Sequence, residues 1–450
     1  MILDDGGKKM FHVKLAQVSE GADAALRLKA DGAWKKLLAG AEAGAEGFGW
    51  MNLPQRDDFD FSAMAEKLSA FSFIVLIGIG GSSLGLQMLM KALLHPAFPF
   101  AERGTRPRLF VADNVDGRTD QAIWDQVTPR ETAVLVVSKS GRTLETLSNF
   151  LFFREKLYGA LGTEAEEHIF AVTSPTKGFL RRYAEAKGTL TCDFPEDTGG
   201  RYSVLSSCGL AAAAALGIDA RGLRAGAADV KKILLADPLG SPATALAADV
   251  VRHGAAGKTT TVFWTYGDRL ASVGQWFAQL WGESLGKDGK GMTPQAAQGS
   301  IDQHSQLQLY ACGPADKYFI FLSAGPDGAC RLHVPREDLF DEARYLQGVT
   351  TEKILECERR GVAASLKRRN LPVCELVLDD VSERSLGGLI FFLETVTALT
   401  GFMLNVDPFD QPGVEEGKNY ALALCGAPAY RQYLPALAEI DSKPVGEFSL

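Results

Sequence analysis

The chain has 450 residues, of which 46% are hydrophobic and 23% are charged. This length exceeds one compact core and predicts two or three domains of an ordinary soluble globular protein. The net charge of −8 is spread without long runs of one sign, which argues against a nucleic-acid-binding surface.

Residues 1–50 are predicted to form a charged, helical N-terminal arm. The first residues are acidic and lack a long apolar core, so we expect no signal peptide. The seven cysteines are widely spaced without a CxxC pair, which predicts reduced thiols in a cytoplasmic protein. The six histidines form neither HxH nor HExxH, so we expect no metal and no cofactor.

A series of short apolar runs begins at residue 73. Each run is apolar throughout and is followed by a helix-like stretch, which is typical of parallel strands buried on both faces. The runs predict a first α/β domain over residues 51–220. They cover residues 73–78, 108–113, 133–138 and 168–173.

A helix of small residues, 206–219, is predicted to lead into a second α/β unit, residues 221–450, which includes the C-terminal helices. The fold class is therefore α/β with two doubly wound domains, each a parallel sheet flanked by helices. The apolar stretch 389–406 is interrupted by Glu394, which indicates a buried helix and no membrane span. The strand candidates of the second unit are residues 260–264, 318–322 and 373–378.

The first strand ends in GIGGSSLG, residues 78–85. Glycine-rich backbone, the N-terminus of the next helix and the hydroxyls of Ser82 and Ser83 could together hold an anion. A Walker loop is excluded because Leu86 and Gln87 follow, and a dinucleotide fingerprint needs a glycine where Ser83 stands. Alone, the stretch fits a phosphate cradle and an ordinary strand-to-helix turn equally well.

The third strand ends in SKSGRTLET, residues 138–146. A lysine, several hydroxyls and a glycine at the start of the next helix suit a phosphate group. Thr143 could instead serve only as a helix cap. Capping does not explain Lys139 at a strand end, and two such loops on neighbouring strands favour a phosphorylated ligand.

Two further stretches carry single charged candidates. Arg201 follows paired glycines in GGRYSVLS and suits an oxyanion, although a surface ion pair is the simpler interpretation. Glu283 in QLWGESLGK is either a base or the partner of Lys287 at i, i+4, a pair worth only ~0.3–0.5 kcal/mol. Taken singly, each ordinary interpretation is the better one.

The same holds for two later residues. His304 lies in DQHSQLQLY, where a lone histidine is more often a structural hydrogen-bonding group than a catalyst. Lys418 lies in DQPGVEEGKNY and could pair with Glu415 at i, i+3 on a surface helix.

Taken together, these six stretches resemble the glucose-6-phosphate isomerase (phosphoglucose isomerase) family, in particular its compact bacterial-type members. The resemblance spans residues 78–420 and is most specific in GGRYS and DQPGVEEGK. It implies two sugar-isomerase (SIS) domains and the interconversion of glucose 6-phosphate and fructose 6-phosphate through a cis-enediol, a step of glycolysis and gluconeogenesis. It also implies a cytoplasmic homodimer whose active site lies at the subunit interface.

The resemblance further implies a role for each candidate. Glu283 matches the base that moves a proton between C1 and C2, and Arg201 matches the arginine that stabilises the enediolate. His304, supplied by the neighbouring subunit, and Lys418 match the residues that open and close the sugar ring. The positions that match the phosphate-binding residues are Ser82, Ser138, Lys139, Ser140, Thr143 and Gln411.

Some departures and alternatives remain. Ser140 stands where many family members have threonine, and Thr198 stands where an aliphatic residue is usual, which leaves the tightness of phosphate binding open. A broader isomerase that also takes mannose 6-phosphate is a second hypothesis. A non-catalytic sugar-phosphate sensor is a third, although a sensor has no need for Glu283.

Overall fold

The structure is a computed structural model. It describes residues 2–3, 9–15, 24–56, 60–98, 106–326, 332–336 and 341–442. The chain divides into two compact units, residues 1–409 and residues 410–450. Both β-sheets belong to the first unit.

The first sheet consists of the four strand runs of the predicted first domain and one further strand. Its strands are β3 (Phe73–Ile77), β4 (Arg108–Ala112), β5 (Thr132–Ser138), β6 (Ile169–Thr173) and β7 (Leu190–Asp193). They are ordered β4-β3-β5-β6-β7, and every pair is parallel. The carboxyl ends of β3 and β5 therefore lie side by side, which brings the two predicted phosphate loops together.

The second sheet contains the later strand candidates and two strands from the N-terminus. Its strands are β1 (Ile2–Leu3), β2 (Lys9–Lys14), β8 (Thr260–Tyr266), β9 (Thr293–Gly299), β10 (Lys317–Ala324) and β11 (Val373–Leu378). They are ordered β1-β2-β11-β10-β8-β9. The strands from β11 to β9 are parallel, whereas β2 pairs antiparallel with β11.

The predicted helical arm over residues 1–50 is therefore only partly helical. Strand β2 pairs with the edge of β11, and Phe11, on that strand, is fully buried against Phe392. A division of the chain into residues 51–220 and 221–450 omits these two strands of the second sheet. Those domain boundaries stay a prediction.

Helices cover the sheets of the first unit. They are α1 (Ala24–Glu42), α2 (Ser62–Ser69), α3 (Leu84–Leu93), α4 (Gly117–Gln126), α5 (Leu144–Leu161), α6 (Phe179–Lys187), α7 (Ser207–Ala215), α8 (Ala220–Ala236), α9 (Pro242–Ala255), α10 (Ala271–Leu285), α11 (Leu307–Cys312), α12 (Thr351–Arg368) and α13 (Glu383–Met403). The second unit contains α14 (Glu415–Leu424) and α15 (Leu434–Asp441).

Helix α13 is the central core helix. It is long and apolar enough to cross a membrane, but 94% of its most apolar window is buried inside the protein. It packs against α8 at very short range, because a Cβ atom on Gly387 would lie 1.8 Å from the carbonyl oxygen of Leu223. The apolar stretch therefore lies in a buried helix, as predicted.

Candidate active site

Arg201 lies at the centre of the candidate site. It follows β7 through a glycine pair and sits in a 3-10 turn, Gly200–Tyr202, with its side chain only 2% exposed. Its Nε donates to Ser284 Oγ at 2.8 Å, and one terminal nitrogen donates to the carbonyl oxygen of Pro408 at 2.8 Å. The other terminal nitrogen lies 3.1 Å from Glu283 Oε2. The guanidinium is thus fixed in one orientation.

Glu283 lies near the end of α10 and remains 34% exposed. Its Oε1 accepts from Gln279 Nε2 at 2.9 Å, so both carboxylate oxygens have a donor. Lys287, the local candidate, donates to the backbone carbonyl oxygens of Ser284, at 3.1 Å, and of Asp407. The donors that the structure shows for the Glu283 carboxylate are therefore Arg201 and Gln279.

Buried aromatic side chains lie next to the Arg201 side chain. Tyr202 is 1% exposed, its hydroxyl lies 3.2 Å from Ser284 Oγ, and its ring stacks on Trp50. Burial raises the pKa of Tyr202 above its usual range, so the phenol keeps its proton. Ser284 therefore joins Arg201 to the aromatic core below it.

Gln279 is a site residue that the sequence analysis did not identify. It lies one helical turn before Glu283, and a Cβ atom on Gly80 would approach its amide nitrogen to 2.8 Å. The amide therefore lies between the catalytic candidate and the first glycine-rich loop. The signal in the sequence was the i, i+4 spacing, which places two such side chains on one helix face.

The first glycine-rich loop turns directly against the Arg201 backbone. Gly80 has a φ of +59°, and a Cβ atom on Gly81 would lie 2.2 Å from the carbonyl carbon of Gly200. The N–H groups of Ser82 and Ser83 donate within the turn, to Ile79 and Gly80. The close approach explains why the loop needs glycine at position 81.

The second loop presents its hydroxyls at the start of α5. Ser138 Oγ accepts from the N–H of Gly141 at 3.1 Å and lies 3.5 Å from Thr143 Oγ1. Thr143 is the N-cap residue, yet its side chain makes no capping hydrogen bond. Ser140 is exposed, and its Oγ accepts from the N–H of Arg142. Capping therefore does not account for Thr143.

Lys139 is half-buried. Its Nζ donates to the carbonyl oxygens of Glu196, at 2.7 Å, and Thr198, at 3.1 Å. Burial lowers the pKa of Lys139, while the carboxylate of Glu46 opposes that shift. The lysine thus links the second loop to the chain segment that precedes Arg201.

The remaining candidates are His304, Lys418 and Gln411. His304 follows a 3-10 turn, Ile301–Gln303, and is exposed; its ring makes no hydrogen bond within the described part of the chain. Lys418 and Gln411 belong to the second unit, where Lys418 pairs with Glu415 at 3.0 Å. The structure therefore brings together Glu283, Arg201 and the two loops, and leaves the other three roles as predictions.

A family model and a curated relative indicate the same family. The family model for phosphoglucose isomerase matches residues 63–306 and 347–433. A glucose-6-phosphate isomerase from Rubrobacter xylanophilus is 40% identical over 398 residues, which cover 85% of this chain and 90% of that protein.

Two solved structures are similar to this chain. The crystal structure of a hypothetical protein from Thermus thermophilus has a TM-score of 0.81 and 32% identity, and the match covers 91% of this chain and 99% of that one. A glucose-6-phosphate isomerase from Chlamydia trachomatis has a TM-score of 0.77 over 96% of this chain and 92% of that one. At 22% identity, the second likeness concerns the fold alone.

Proposed function

This chain belongs to the phosphoglucose isomerase family, and we propose that Glu283 and Arg201 are the catalytic pair with which it interconverts glucose 6-phosphate and fructose 6-phosphate. The observation that carries this assignment is the contact between a partly exposed carboxylate and a buried, fully oriented guanidinium at 3.1 Å. Gly81 of the first loop packs against Gly200, and Lys139 of the second loop contacts the chain segment that precedes Arg201.

Exchange of an aldose and a ketose moves one proton between neighbouring carbons. Glu283 takes the proton from C2 of the open-chain aldose and returns it to C1 on the same face, through a cis-enediol. Negative charge develops on the enediolate oxygens during this transfer. Arg201 can stabilise that charge without reorganisation, because three of its nitrogens are already fixed; one such donor is worth about 3 kcal/mol.

The phosphate group takes no part in the bond changes. Its binding energy serves to orient C1 and C2 against Glu283. We assign it to the two loops, because their hydroxyls and helix N-termini meet at the adjacent ends of β3 and β5. The proposed phosphate ligands are Ser82, Ser138, Lys139, Ser140, Thr143 and Gln411.

Ring opening needs a group that moves a proton between the anomeric hydroxyl and the ring oxygen. We assign this step to His304 and Lys418, with His304 supplied by the neighbouring subunit of a homodimer. Support comes from the surface around His304, where Ile301 is 63% exposed and Leu309 is 57% exposed. Apolar side chains exposed on both sides of a histidine suit a buried subunit contact.

We also propose that the enzyme acts in the cytoplasm. The cysteines in the described part of the chain are all free thiols, and three of them are buried. Free thiols in an enzyme of glycolysis suit a reducing compartment.

A coupled assay tests the proposed function. Purified protein receives fructose 6-phosphate in the presence of a chelator, and the appearance of glucose 6-phosphate is followed. Turnover is the expected result, and saturable binding without turnover would favour a sensor. A parallel assay with mannose 6-phosphate tests the specificity, because equal turnover of both sugars would overturn the narrow assignment.

A further inference from the structure

Lys139, a proposed phosphate ligand, also contacts protein backbone. Its two acceptors, the carbonyl oxygens of Glu196 and Thr198, belong to residues 194–201, here called the Arg201 segment. An ammonium group has three N–H donors, so these contacts leave one donor for a phosphate oxygen. The lysine can therefore bind both partners at once.

The Arg201 segment is clamped at its middle. Arg56 contacts both carboxylate oxygens of Asp197, at 2.6 and 2.7 Å. The carbonyl oxygen of Asp197 accepts from the N–H groups of Gly47 and Gly49, each at 2.9 Å. The segment is thus anchored to the N-terminal part of the first unit.

Residues that follow the strands of the first sheet also contact the Arg201 segment. The Glu196 carboxylate accepts from Ser174 Oγ at 2.7 Å and Thr176 Oγ1 at 2.8 Å. Gly81 of the first loop packs against Gly200. Lys139 is the charged side chain that reaches the segment from the second loop, and its two hydrogen bonds lie three to five residues before Arg201.

We propose that Lys139 is a positioning residue for Arg201 in addition to being a phosphate ligand, so that phosphate binding and guanidinium placement are linked through the Arg201 segment. This inference rests on the proposed function. A phosphate that draws on the third donor of Lys139 would fix the ammonium, which in turn fixes the two carbonyl groups that precede the glycine pair.

A positioning role for Lys139 and a role in phosphate binding alone have different effects on kcat and KM. A residue that touches only the unreactive phosphate contributes equally to ground-state and transition-state binding, so its loss raises KM and leaves kcat unchanged. A residue that also places Arg201 contributes more in the transition state. Its loss therefore lowers kcat as well.

Two phosphorylated analogues separate these roles. Glucitol 6-phosphate carries the phosphate and hydroxyl groups but has no anionic centre at C1 and C2. Arabinonate 5-phosphate carries a planar carboxylate where the enediolate oxygens form. In Lys139→Met, we expect glucitol 6-phosphate to bind about tenfold more weakly, and arabinonate 5-phosphate about 100-fold more weakly.

Two matched variants show the result expected for each role alone. Ser140→Ala changes a residue of the same loop whose side chain accepts from Arg142, and it should weaken both analogues equally. Arg201→Lys should weaken arabinonate 5-phosphate alone. In the Lys139→Met/Arg201→Lys double variant, the extra loss for the carboxylate analogue should be no larger than in Arg201→Lys, because one coupled unit has already been broken.

Equal weakening of both analogues by Lys139→Met, with kcat unchanged, would overturn the inference. If the melting temperature shows that Lys139→Met is not folded, Lys139→Gln is measured in the same way, with the same two outcomes. A wild-type protein that fails to isomerise glucose 6-phosphate would instead overturn the proposed function. The two failures are therefore distinguishable.

Discussion

Glu283 has two hydrogen-bond donors from different parts of the chain, Arg201 and Gln279. Glu283→Gln keeps the shape of the side chain but cannot accept a proton from carbon. We expect kcat to fall by about 10²–10⁴-fold, while fructose 6-phosphate still binds. The measurement is steady-state kinetics combined with calorimetric titration.

The matched control for this variant is Lys287→Ala. Lys287 donates to the backbone carbonyl groups of Ser284 and Asp407, so kcat should stay within about threefold of wild type. Wild-type turnover in Glu283→Gln would contradict the assigned role. A large loss of turnover in Lys287→Ala would restore a part for the lysine in tuning the carboxylate.

Ser284 tests whether the orientation of Arg201 matters. Its hydroxyl accepts from Arg201 Nε and lies 3.2 Å from the Tyr202 hydroxyl, and the residue is fully buried. Ser284→Ala leaves a buried donor without an acceptor, at a cost of about 1–3 kcal/mol. We expect kcat to fall by about tenfold at nearly constant KM, and Ser284→Thr should restore most of it. An unchanged kcat in Ser284→Ala would contradict this account.

At the scale of whole elements, α13 contains an unusual carboxyl group. Glu394 is 1% exposed, and neither of its oxygens has a hydrogen-bond partner in the part of the chain that the structure describes. Burial raises the pKa of Glu394 well above its ordinary value. The folded protein therefore holds this acid in its neutral form, on the core helix that packs against α10.

This raised pKa predicts a pH-dependent stability. The unfolded chain releases the proton near pH 4.3, so the folded state loses relative stability as the pH rises from there through the folded-state pKa. Glu394→Gln removes this loss and should unfold at higher urea concentration than wild type at pH 8. The difference should shrink towards pH 4, since each pKa unit is worth about 1.4 kcal/mol.

Glu375 provides the matched control with the opposite sign. It is also buried, which acts to raise its pKa, but Lys367 at 2.6 Å and Arg359 outweigh burial and lower it. Its stabilising contribution is therefore present above the ordinary pKa and lost as the pH falls. Glu375→Gln should destabilise the protein at pH 8, and a urea midpoint that rises there would contradict the assignment.

The position of a strand within its sheet explains why the sequence analysis missed some strands. The predicted strands β3, β5, β6, β8, β10 and β11 lie inside their sheets, and nearly all of their residues are buried. Strands β7 and β9 lie at sheet edges, and most residues of their sequences, LTCD and TPQAAQG, are not fully buried. An edge strand buries less surface, so it needs no continuous apolar run.

At the scale of the whole molecule, the proposed homodimer makes a quantitative prediction. Two inactive variants, Glu283→Gln and His304→Ala, are mixed in equal amounts and allowed to exchange subunits. The His304→Ala subunits retain Glu283. If His304 acts in the neighbouring subunit, half of the dimers are hybrids, and each hybrid has one intact site. Activity should therefore recover to about a quarter of the wild-type value.

An interface variant controls this experiment. Ile301→Asp, introduced into both partners, places a charge on the exposed apolar surface beside His304 and should prevent both dimerisation and recovery. Sedimentation measures the oligomeric state, and labelled subunits confirm exchange. No recovery after confirmed exchange would count against a shared site.

The α/β class, most of the inner strands and the two candidate phosphate loops could be predicted from the amino-acid sequence alone. These features depend on local pattern, because a strand buried on both faces must be apolar and a tight turn against another backbone needs glycine. Motifs separated by more than 200 residues also indicated the family. None of this required knowledge of which side chains meet.

The partners of Glu283 and Lys139 depend on the tertiary structure. Local spacing offered Lys287 to Glu283, whereas the fold supplies Arg201 from 82 residues away, with Ser284 and Pro408 holding the guanidinium. It likewise joined Lys139 to the Arg201 segment and the N-terminal strand β2 to β11. The physical reason is that an exposed i, i+4 pair gains a few tenths of a kcal/mol, too little to compete with the contacts of a packed core.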